Sequence, residues 1–389
     1  MVTSGRSDYG IYLPVLRKIL ADPTLNLRLM VTGSHLSPEF GLTSQVIQED
    51  GFEIAEKIEM LVSSDTPEGI VKSMGLGLIG MSQAYAKDRP DILLVLGDRF
   101  EMHGAALAAL PFNIPVAHIH GGELTAGAID DSLRHSITKL SHLHFVATEE
   151  YRRRVIQLGE EPWRVITSGA PGLDNLHNIS LLTRVEIESQ YQLKLAANFL
   201  LVTYHPVTLE FEQTQVQMDQ LLSSLRQVGL PIIFTGPNAD TGGRIVRSLI
   251  NQFINTYSQA QMIENLGTQG YFSLMHHAAA MVGNSSSGII EAPSVELPVV
   301  NLGTRQQGRI RSVNVIDVGN GHEEIVSGIN KALDPSFRAS IVGIPNPYGN
   351  GQASDIIVQR LKGVSLGYQL ISKQFEDISY PSVQLVNQG

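Results

Sequence analysis

Three acidic side chains follow two apolar stretches of the sequence and could together perform acid/base chemistry. Asp98 follows the run 92–96 after one glycine, and Glu123 and Asp131 come beyond the run 114–117. Both runs are continuously apolar, which is typical of strands buried on both faces of a parallel sheet. Ligands bind beyond the carboxyl ends of the strands in such sheets. The sequence therefore predicts that the three acids line a cleft in which carboxylates accept and donate protons.

Two turns rich in small residues precede predicted helices and could bind phosphate. In the segment 2–9 a strand end gives way to a helix through a glycine, and in the segment 282–291 three successive serines open a helix. Free N–H groups at a helix N-terminus bind phosphate, whereas simple N-capping by serine is the structural alternative for the second turn. An acidic residue one turn into that helix could reach a ribose. The candidate ligands are Arg6, Ser285, Ser286, Ser287 and Glu291.

A literal dinucleotide-binding pattern, GxGxxG, occurs at residues 75–80. It lies inside an amphipathic helical stretch, whereas the motif requires a strand before its first glycine and a helix after it. We therefore interpret the match as a coincidence. No lysine follows the serine-rich turn, so that turn is not a P-loop. The sequence accordingly predicts a protein that needs no NAD and no other cofactor.

Histidines offer a metal-binding alternative. His118 and His120 alternate along a predicted strand, as do His142 and His144, so each pair is expected to share a face. Such pairs can ligate zinc, but a zinc site needs at least a third ligand with ordered support, and we find no such motif. Histidines satisfied by hydrogen bonds or contacting substrate are the favoured interpretation, and no metal is expected. His205 ends a later predicted strand and is expected to face the cleft.

Composition restricts the classes of function. At 389 residues the chain is longer than one comfortable core, so two domains are expected. The formal net charge of −10 argues against general binding to nucleic acid or to an anionic membrane, because phosphates require a broad basic surface. The lack of cysteine excludes disulfides, thiolate metal sites and cysteine nucleophiles. We find neither a membrane-length apolar run nor a secretory signal, so a cytoplasmic protein is expected.

Short apolar runs alternate with longer amphipathic stretches, which is typical of βα units and parallel sheets. Turn-forming residues interrupt this α/β pattern at 169–174, where we place the boundary between two Rossmann-like domains, 1–172 and 173–345. Residues 346–389 are expected to contribute a helix at 353–362 that returns toward the first domain, followed by a tail. Strands are predicted at 27–31, 92–96, 114–117, 143–147, 165–167, 199–203, 231–234, 280–282 and 298–302.

Six segments with distinctive sequences follow one another along the chain. They are SGRSDYG at 4–10, GDRFE at 97–101, HIHGGELTAGAIDDSLRHSITKLSHLHF at 118–145, YHP at 204–206, GNSSSGIIEAP at 283–293 and NLGTRQQGR at 301–309. Together they closely resemble the hydrolysing UDP-N-acetylglucosamine 2-epimerases of sialic-acid and related nonulosonic-acid biosynthesis. The resemblance extends to about residue 362. The GGE sequence at 121–123 resembles the hydrolysing branch of that family.

The resemblance implies a GT-B architecture, with a UDP-sugar in the cleft between two Rossmann-like domains and a reaction without a cofactor. By match to the family motifs, Asp98, Glu123 and Asp131 carry the proton transfers, and the sequence leaves open which acid performs which step. Other residues are implied in orienting the substrate, assisting the departure of UDP or meeting the charge of its diphosphate. They are Arg6, Arg99, His120, His205, Ser285, Ser286, Ser287 and Arg305.

The chemistry of such a sugar agrees with these residues. C2 is not adjacent to a carbonyl, so its inversion requires either transient oxidation or elimination of UDP across C1 and C2 followed by addition of water. Two carboxylates flanking the sugar meet the needs of elimination. UDP-N-acetylglucosamine is the expected substrate, and a UDP-2,4-diacetamido-2,4,6-trideoxy sugar of legionaminic-acid pathways is the alternative. A GT-B glycosyltransferase or a nucleotide-sugar sensor is the alternative from another class. The expected assembly is a homodimer or homotetramer.

Overall fold

Short apolar strands covered by helices form two α/β domains in the computed structural model of the chain. Burial of a strand on both faces explains why its sequence is continuously apolar. Two strands from different domains, Val116–Ile119 and Leu200–Thr203, have only buried residues. Among the described residues, no helix is long and apolar enough to cross a membrane. The structure describes residues 1–62, 66–125, 129–236, 243–264 and 266–377.

The strands of the N-terminal domain form two parallel sheets that meet edge to edge. One sheet has the order β1-β2-β3 and the other the order β4-β5-β6-β7, and β1 lies beside β4. The strands are β1 Val2–Thr3, β2 Leu29–Thr32, β3 Ile54–Ile58, β4 Leu93–Leu96, β5 Val116–Ile119, β6 Leu143–Val146 and β7 Val165–Thr167. The helices are α1 Arg6–Ala21, α2 Ser44–Glu49, α3 Pro67–Lys87, α4 Phe100–Ala109, α5 Ile129–Leu140 and α6 Glu149–Gln157.

The second domain follows two linking helices, α7 Asp174–Asn178 and α8 Arg184–Tyr191. Its parallel sheet has the order β10-β9-β8-β11-β12-β13. The strands are β8 Leu200–Thr203, β9 Ile232–Thr235, β10 Ala260–Ile263, β11 Ala280–Gly283, β12 Val299–Leu302 and β13 Val315–Val318. The helices of this domain and of the chain end are α9 Thr214–Val228, α10 Gly243–Thr256, α11 Gly267–His277, α12 Ser287–Ile290, α13 His322–Leu333, α14 Pro335–Ser340, α15 Ala353–Gly363 and α16 Tyr368–Ile371.

Each domain has a point at which the strand order changes direction. These switch points lie between β1 and β4 in the first domain and between β8 and β11 in the second. The chain turns away in opposite directions after such neighbouring strands, which opens a crevice at their carboxyl ends where ligands bind. Arg6 follows β1, Asp98 follows β4, His205 follows β8 and Ser285 follows β11. The fold therefore puts predicted site residues at both switch points.

The apolar runs predict central strands better than edge strands. The predicted strands at 92–96 and 280–282 correspond to β4 and β11, whereas no strand was predicted at β3, β10 or β13. Those three are edge strands of their sheets. Most of their residues are partly or fully exposed, so their sequences mix polar and apolar residues. The GxGxxG pattern lies within α3, as predicted, and does not begin a helix.

A buried cluster joins the two domains. It includes Val146 and Tyr151 of the first domain, Ile289 and Ile290 of the second, and Tyr348 from the segment before α15. An apolar cluster of this kind favours the closed arrangement, because opening the cleft would return its surface to water.

The chain returns to the first domain after Tyr348. α15 packs against α1, where Lys18 pairs with Asp355 and the Lys362 ammonium lies 2.6 Å from Asp22. The segment that follows α15 binds to the same domain in part through one buried cation. The buried Arg164 donates hydrogen bonds to three of its carbonyls, at Gln369, Leu370 and Ser372, over 2.8–3.0 Å.

We expect Gly283→Ala to destabilise the second domain by at least about 2 kcal/mol. Gly283 has a φ of 138°, and a Cβ there would come within 1.9 Å of the Thr203 carbonyl oxygen on the paired strand. The matched control is Gly75→Ala in α3, where an added Cβ meets nothing within 4 Å. That change should raise the free energy of unfolding by about 0.5–1 kcal/mol. Urea unfolding measures both, and equal effects would contradict the strand-contact explanation.

Candidate functional site

Asp98 and Asp131 are held by one threonine. The hydroxyl of Thr125 donates to Asp98 over 3.2 Å, while the backbone N–H of Thr125 donates to Asp131 over 2.8 Å. Asp98 also forms an ion pair with Arg134 of α5, and the Arg134 side chain is 3% exposed. Asp131 lies in the first turn of the same helix. The start of α5 and the end of β4 therefore bring two of the predicted acids together.

Glu123 lies between a histidine and an arginine from opposite sides of the cleft. Its carboxylate is 2.5 Å from Nδ1 of His120 and 3.4 Å from the guanidinium of Arg309, which belongs to the second domain. Burial by itself would raise the pKa of Glu123. The attraction of His120 and Arg309 outweighs burial and holds that pKa well below its ordinary value of 4.5. Glu123 is therefore ionised at neutral pH.

Arg134 connects the Asp98–Asp131 pair with the turn that carries His120 and Glu123. Besides its pair with Asp98, it donates to the backbone carbonyl of His120 over 2.7 Å. His120 has a φ of 65°, so the chain turns out of the line of β5 at this residue. The prediction that His118 and His120 share a strand face is therefore wrong. One buried cation instead fixes Asp98 relative to the turn that carries His120 and Glu123.

The other paired histidines have structural partners. His118 bonds through Nε2 to the Gly97 carbonyl at 2.7 Å and through Nδ1 to the Thr138 hydroxyl at 3.2 Å. Nδ1 of His142 accepts from the Val116 N–H, and Nε2 of His144 lies 3.0 Å from Glu160. In the part of the chain that the structure describes, no cluster of three or more histidine, aspartate or glutamate side chains could hold a metal ion.

His205 is built into the switch point of the second domain by Asn284. The Asn284 side chain accepts from the His205 N–H at 2.7 Å and donates to the His205 carbonyl at 2.8 Å. Arg305 and Gln306 both donate to the Asn284 carbonyl. Burial lowers the pKa of His205 to about 3, with a smaller contribution from Arg305. The imidazole is therefore neutral at physiological pH.

The serine turn and its neighbours contain buried polar atoms without partners. Ser285 Oγ accepts from the Ser287 N–H at 3.3 Å, and Ser286 precedes α12 without a side-chain capping bond. Within the described residues, Oε2 of Glu291 and the hydroxyl of Tyr271 are buried and have no hydrogen-bond partner at normal distance. Burial raises the pKa of Glu291. Because an unsatisfied buried polar group costs about 1–3 kcal/mol, these atoms are suited to meeting a ligand.

The remaining predicted residues lie along the first domain's switch point. Arg6 is exposed at the start of α1. Arg99 pairs with the buried Glu101 at 3.1 Å and is 43% exposed. Sequence reasoning did not select Thr125, Arg134, Arg309 or Tyr271, although the first three lie inside the distinctive segments. Their side chains are neither acids nor histidines, and only the packing of α5 and of the two domains brings them to the site.

Comparison with known proteins identifies related sequences over most of the chain. The family described as UDP-N-acetylglucosamine 2-epimerase matches residues 17–362. A Campylobacter jejuni relative named GDP/UDP-N,N'-diacetylbacillosamine 2-epimerase (hydrolyzing) is 42% identical over 82% of this chain and 83% of its own. A Legionella pneumophila relative named UDP-N,N'-diacetylbacillosamine 2-epimerase (hydrolyzing) is 38% identical over 96% and 97%. The Escherichia coli polysialic acid biosynthesis protein P7 is 36% identical over 97% and 96%.

A solved structure also has a similar fold. The UDP-GlcNAc 2-epimerase from Neisseria meningitidis bound to UDP-GlcNAc has a TM-score of 0.81 at 20% identity, with 93% of this chain and 98% of that chain covered. The shared fold is the two-domain GT-B arrangement of Rossmann-like domains, which confirms the predicted architecture.

The low pKa of Glu123 predicts a pH-dependent contribution to stability. The folded-state pKa lies below the unfolded value of 4.5, so the stabilisation is complete above that value and is lost as the pH falls through the folded pKa. We expect the unfolding free energy of wild type minus that of Glu123→Gln to shrink by about 2 kcal/mol between pH 6 and pH 3. Urea unfolding across this range is the measurement. A difference independent of pH would contradict the ion-pair assignment.

Proposed function

The chain belongs to the UDP-N-acetylglucosamine 2-epimerase family, and we propose that it is a hydrolysing 2-epimerase of a UDP-2,4-diacetamido-2,4,6-trideoxy sugar. The reaction releases UDP and a free sugar that is inverted at C2. The observation that carries this proposal is the convergence of three carboxylates at one switch point, opposite Arg309 of the other domain. Proton transfer at C2 of a sugar bound between the domains requires such groups.

Elimination followed by hydration accounts for every atom of this reaction. A carboxylate removes the C2 proton, the C1–O bond breaks, and its electron pair leaves with UDP while a C1–C2 double bond forms. Water then adds its hydroxyl to C1, and C2 receives a proton on the opposite face. The sum is hydrolysis of the UDP-sugar with inversion at C2. Neither step changes an oxidation state overall, so no redox cofactor is required.

We assign the two proton transfers to Asp98 and Asp131. Thr125 holds both, so their separation is fixed, and both side chains are partly exposed, at 21% and 32%. Glu123 is less suited to accept a proton, because a general base works best with a pKa near the operating pH and the pKa of Glu123 lies far below it. Its bond to Nδ1 of His120 makes it the residue that orients this imidazole.

The second domain supplies groups for the UDP moiety. Glu291 and Tyr271 have buried polar atoms without partners beside the serine turn, which supports a role in binding the ribose and uracil half of the ligand. The neutral N–H of His205 and the guanidinium of Arg305 are suited to the diphosphate, whose charge rises as the C1–O bond breaks. Arg6, exposed at the start of α1, is the first domain's candidate for the same charge.

The names of two relatives favour the diacetamido sugar over the expected UDP-N-acetylglucosamine. Both the Campylobacter and the Legionella proteins are named for diacetylbacillosamine, which is a 2,4-diacetamido-2,4,6-trideoxy sugar. UDP-N-acetylglucosamine is the second candidate, because the Escherichia coli relative is named for polysialic acid biosynthesis. Both substrates undergo the same chemistry at C1 and C2, so the choice depends on the groups at C4 and C6.

Incubation in deuterated water without an acceptor tests this function. We expect UDP release from the diacetamido sugar, with one deuterium at C2 of the inverted product and a kcat/KM at least about tenfold above that for UDP-N-acetylglucosamine. A tenfold preference corresponds to about 1.4 kcal/mol, within reach of one contact to a substituent. Nuclear magnetic resonance follows the label. UDP release without C2 labelling would contradict elimination, and release only with an acceptor would indicate a transferase.

We expect Asp98→Asn and Asp131→Asn each to lower kcat by at least about a hundredfold, the scale of lost general acid/base catalysis. Glu123→Gln should also lower kcat, because His120 loses the carboxylate that orients its imidazole. UDP affinity, measured by calorimetry, should stay within about threefold, because the nucleotide is assigned to the other domain. The matched control is Asp88→Asn, which removes the charge of a half-exposed aspartate paired with Arg28 and should leave kcat unchanged. Near-normal turnover in any acid variant of normal stability would remove that residue from the mechanism.

A further inference from the structure

A closed ring of hydrogen bonds crosses the domain interface near Glu123. The Ile310 N–H donates to the hydroxyl of Tyr151 over 3.2 Å, and the two tyrosine hydroxyls are 3.0 Å apart. The Tyr348 hydroxyl in turn donates to the Ile310 carbonyl over 3.0 Å. Tyr151 belongs to α6, Ile310 to the loop after β12, and Tyr348 to the return segment. Three separate parts of the chain therefore meet in one ring.

Every hydroxyl, N–H and carbonyl group in the ring has a hydrogen-bond partner. Since Tyr348 donates to Ile310, the hydroxyl of Tyr151 donates to that of Tyr348, so each hydroxyl donates once and accepts once. Both tyrosines are 0% exposed and lie in the apolar cluster that joins the domains. A buried polar network that is fully satisfied is rigid and specifies one arrangement. Neither hydroxyl therefore has a donor hydrogen to spare for a substrate.

Ile310 is the chain neighbour of the cation that faces Glu123. The ring holds the Ile310 backbone at both its N–H and its carbonyl, and this fixes the direction in which Arg309 leaves the chain. The Arg309 guanidinium lies 3.4 Å from Glu123, longer than a normal charge-assisted hydrogen bond. The contact therefore depends on where the loop places the Arg309 side chain.

Tyr151 also contacts the loop on the other side of the ion pair. A Cβ at Gly122, whose φ is 77°, would lie 2.6 Å from the Tyr151 carbonyl oxygen, so the Glu123 loop packs directly on the backbone of α6. Arg154, one turn further along α6, donates to the Gly122 carbonyl at 2.5 Å. One helix therefore touches the Glu123 loop with its backbone and the Arg309 loop with a tyrosine hydroxyl.

We propose that Tyr151 and Tyr348 are positioning residues that hold Arg309 against Glu123 and thereby keep the catalytic cleft closed. We call the ring formed by Tyr151, Tyr348 and the Ile310 backbone the interdomain latch. The effect on catalysis rests on the proposed function, whereas the latch itself rests on the hydrogen bonds. Removing either hydroxyl opens the ring and releases one of the two hydrogen bonds that hold the Ile310 backbone. Glu123 then loses its partner from the second domain, and the His120–Glu123 pair loses its fixed orientation toward the sugar.

The test compares Tyr151→Phe and Tyr348→Phe with Tyr85→Phe. Tyr85 is a matched control, because it is 1% exposed and its hydroxyl donates to the Ala105 carbonyl at 3.1 Å, inside the first domain. We expect the two latch variants to lose about tenfold in kcat, equivalent to about 1.4 kcal/mol, with UDP affinity changed less than threefold. Tyr85→Phe should keep kcat within twofold of wild type even if its melting temperature falls as far as that of the two latch variants. Equal kcat in all three variants would overturn the proposal.

A double-mutant cycle separates positioning from general weakening of the fold. If Tyr151 acts through Arg309, Tyr151→Phe should lower kcat no further in an Arg309→Gln background. Multiplicative losses would overturn the proposal. Should wild type release UDP from neither sugar, the proposed function fails, and hydrogen exchange decides the latch by itself. Faster exchange at 120–125 and 306–312 in both latch variants than in Tyr85→Phe supports it, and equal exchange overturns it.

Discussion

The buried charge of Glu123 is the constraint on which the site depends. A carboxylate that is 2% exposed must be paired, since removing one partner of a buried pair costs about 3–5 kcal/mol. One partner, His120, comes from the same turn, and the other, Arg309, comes from the second domain. The first domain alone therefore lacks the cation that Arg309 supplies to Glu123. Closure of the cleft and ionisation of Glu123 are thus linked, which couples the fold to the chemistry between the domains.

The end of the chain contributes to the same closure. Tyr348 lies in the interface cluster, and α15 begins soon after it. The carboxylate of Asp174, at the start of the linking helix α7, accepts from the N–H groups of Ala353 and Ser354 at 3.0 and 2.6 Å. This is the interaction that caps a helix N-terminus and complements its dipole. The linker between the domains is therefore tied to the return helix, so relative movement of the domains strains both.

The sequence predicts the switch points because their strands are the most buried. Continuous apolar runs mark β4 and β11, and the residues that follow such strands, including Asp98 and Ser285, can then be selected by type. The edge strands β3, β10 and β13 are missed because exposure removes the apolar signal. Arg134 is missed for a different reason. At three residues beyond Asp131 on a helix it looks like a solvated charge, and only the packing of α5 on the sheet brings it under Asp98.

Buried hydroxyl groups in this fold differ in what they indicate. The hydroxyls of Tyr151 and Tyr348 each donate and accept once within the protein, so they are structural even though they lie close to Glu123. The hydroxyl of Tyr271 is also buried, but among the described residues it has no protein partner at normal hydrogen-bond distance. An unsatisfied buried group persists where a ligand compensates for it. Counting the hydrogen bonds of the three tyrosines separates the residues that hold the cleft shut from the one that is suited to touch what enters it.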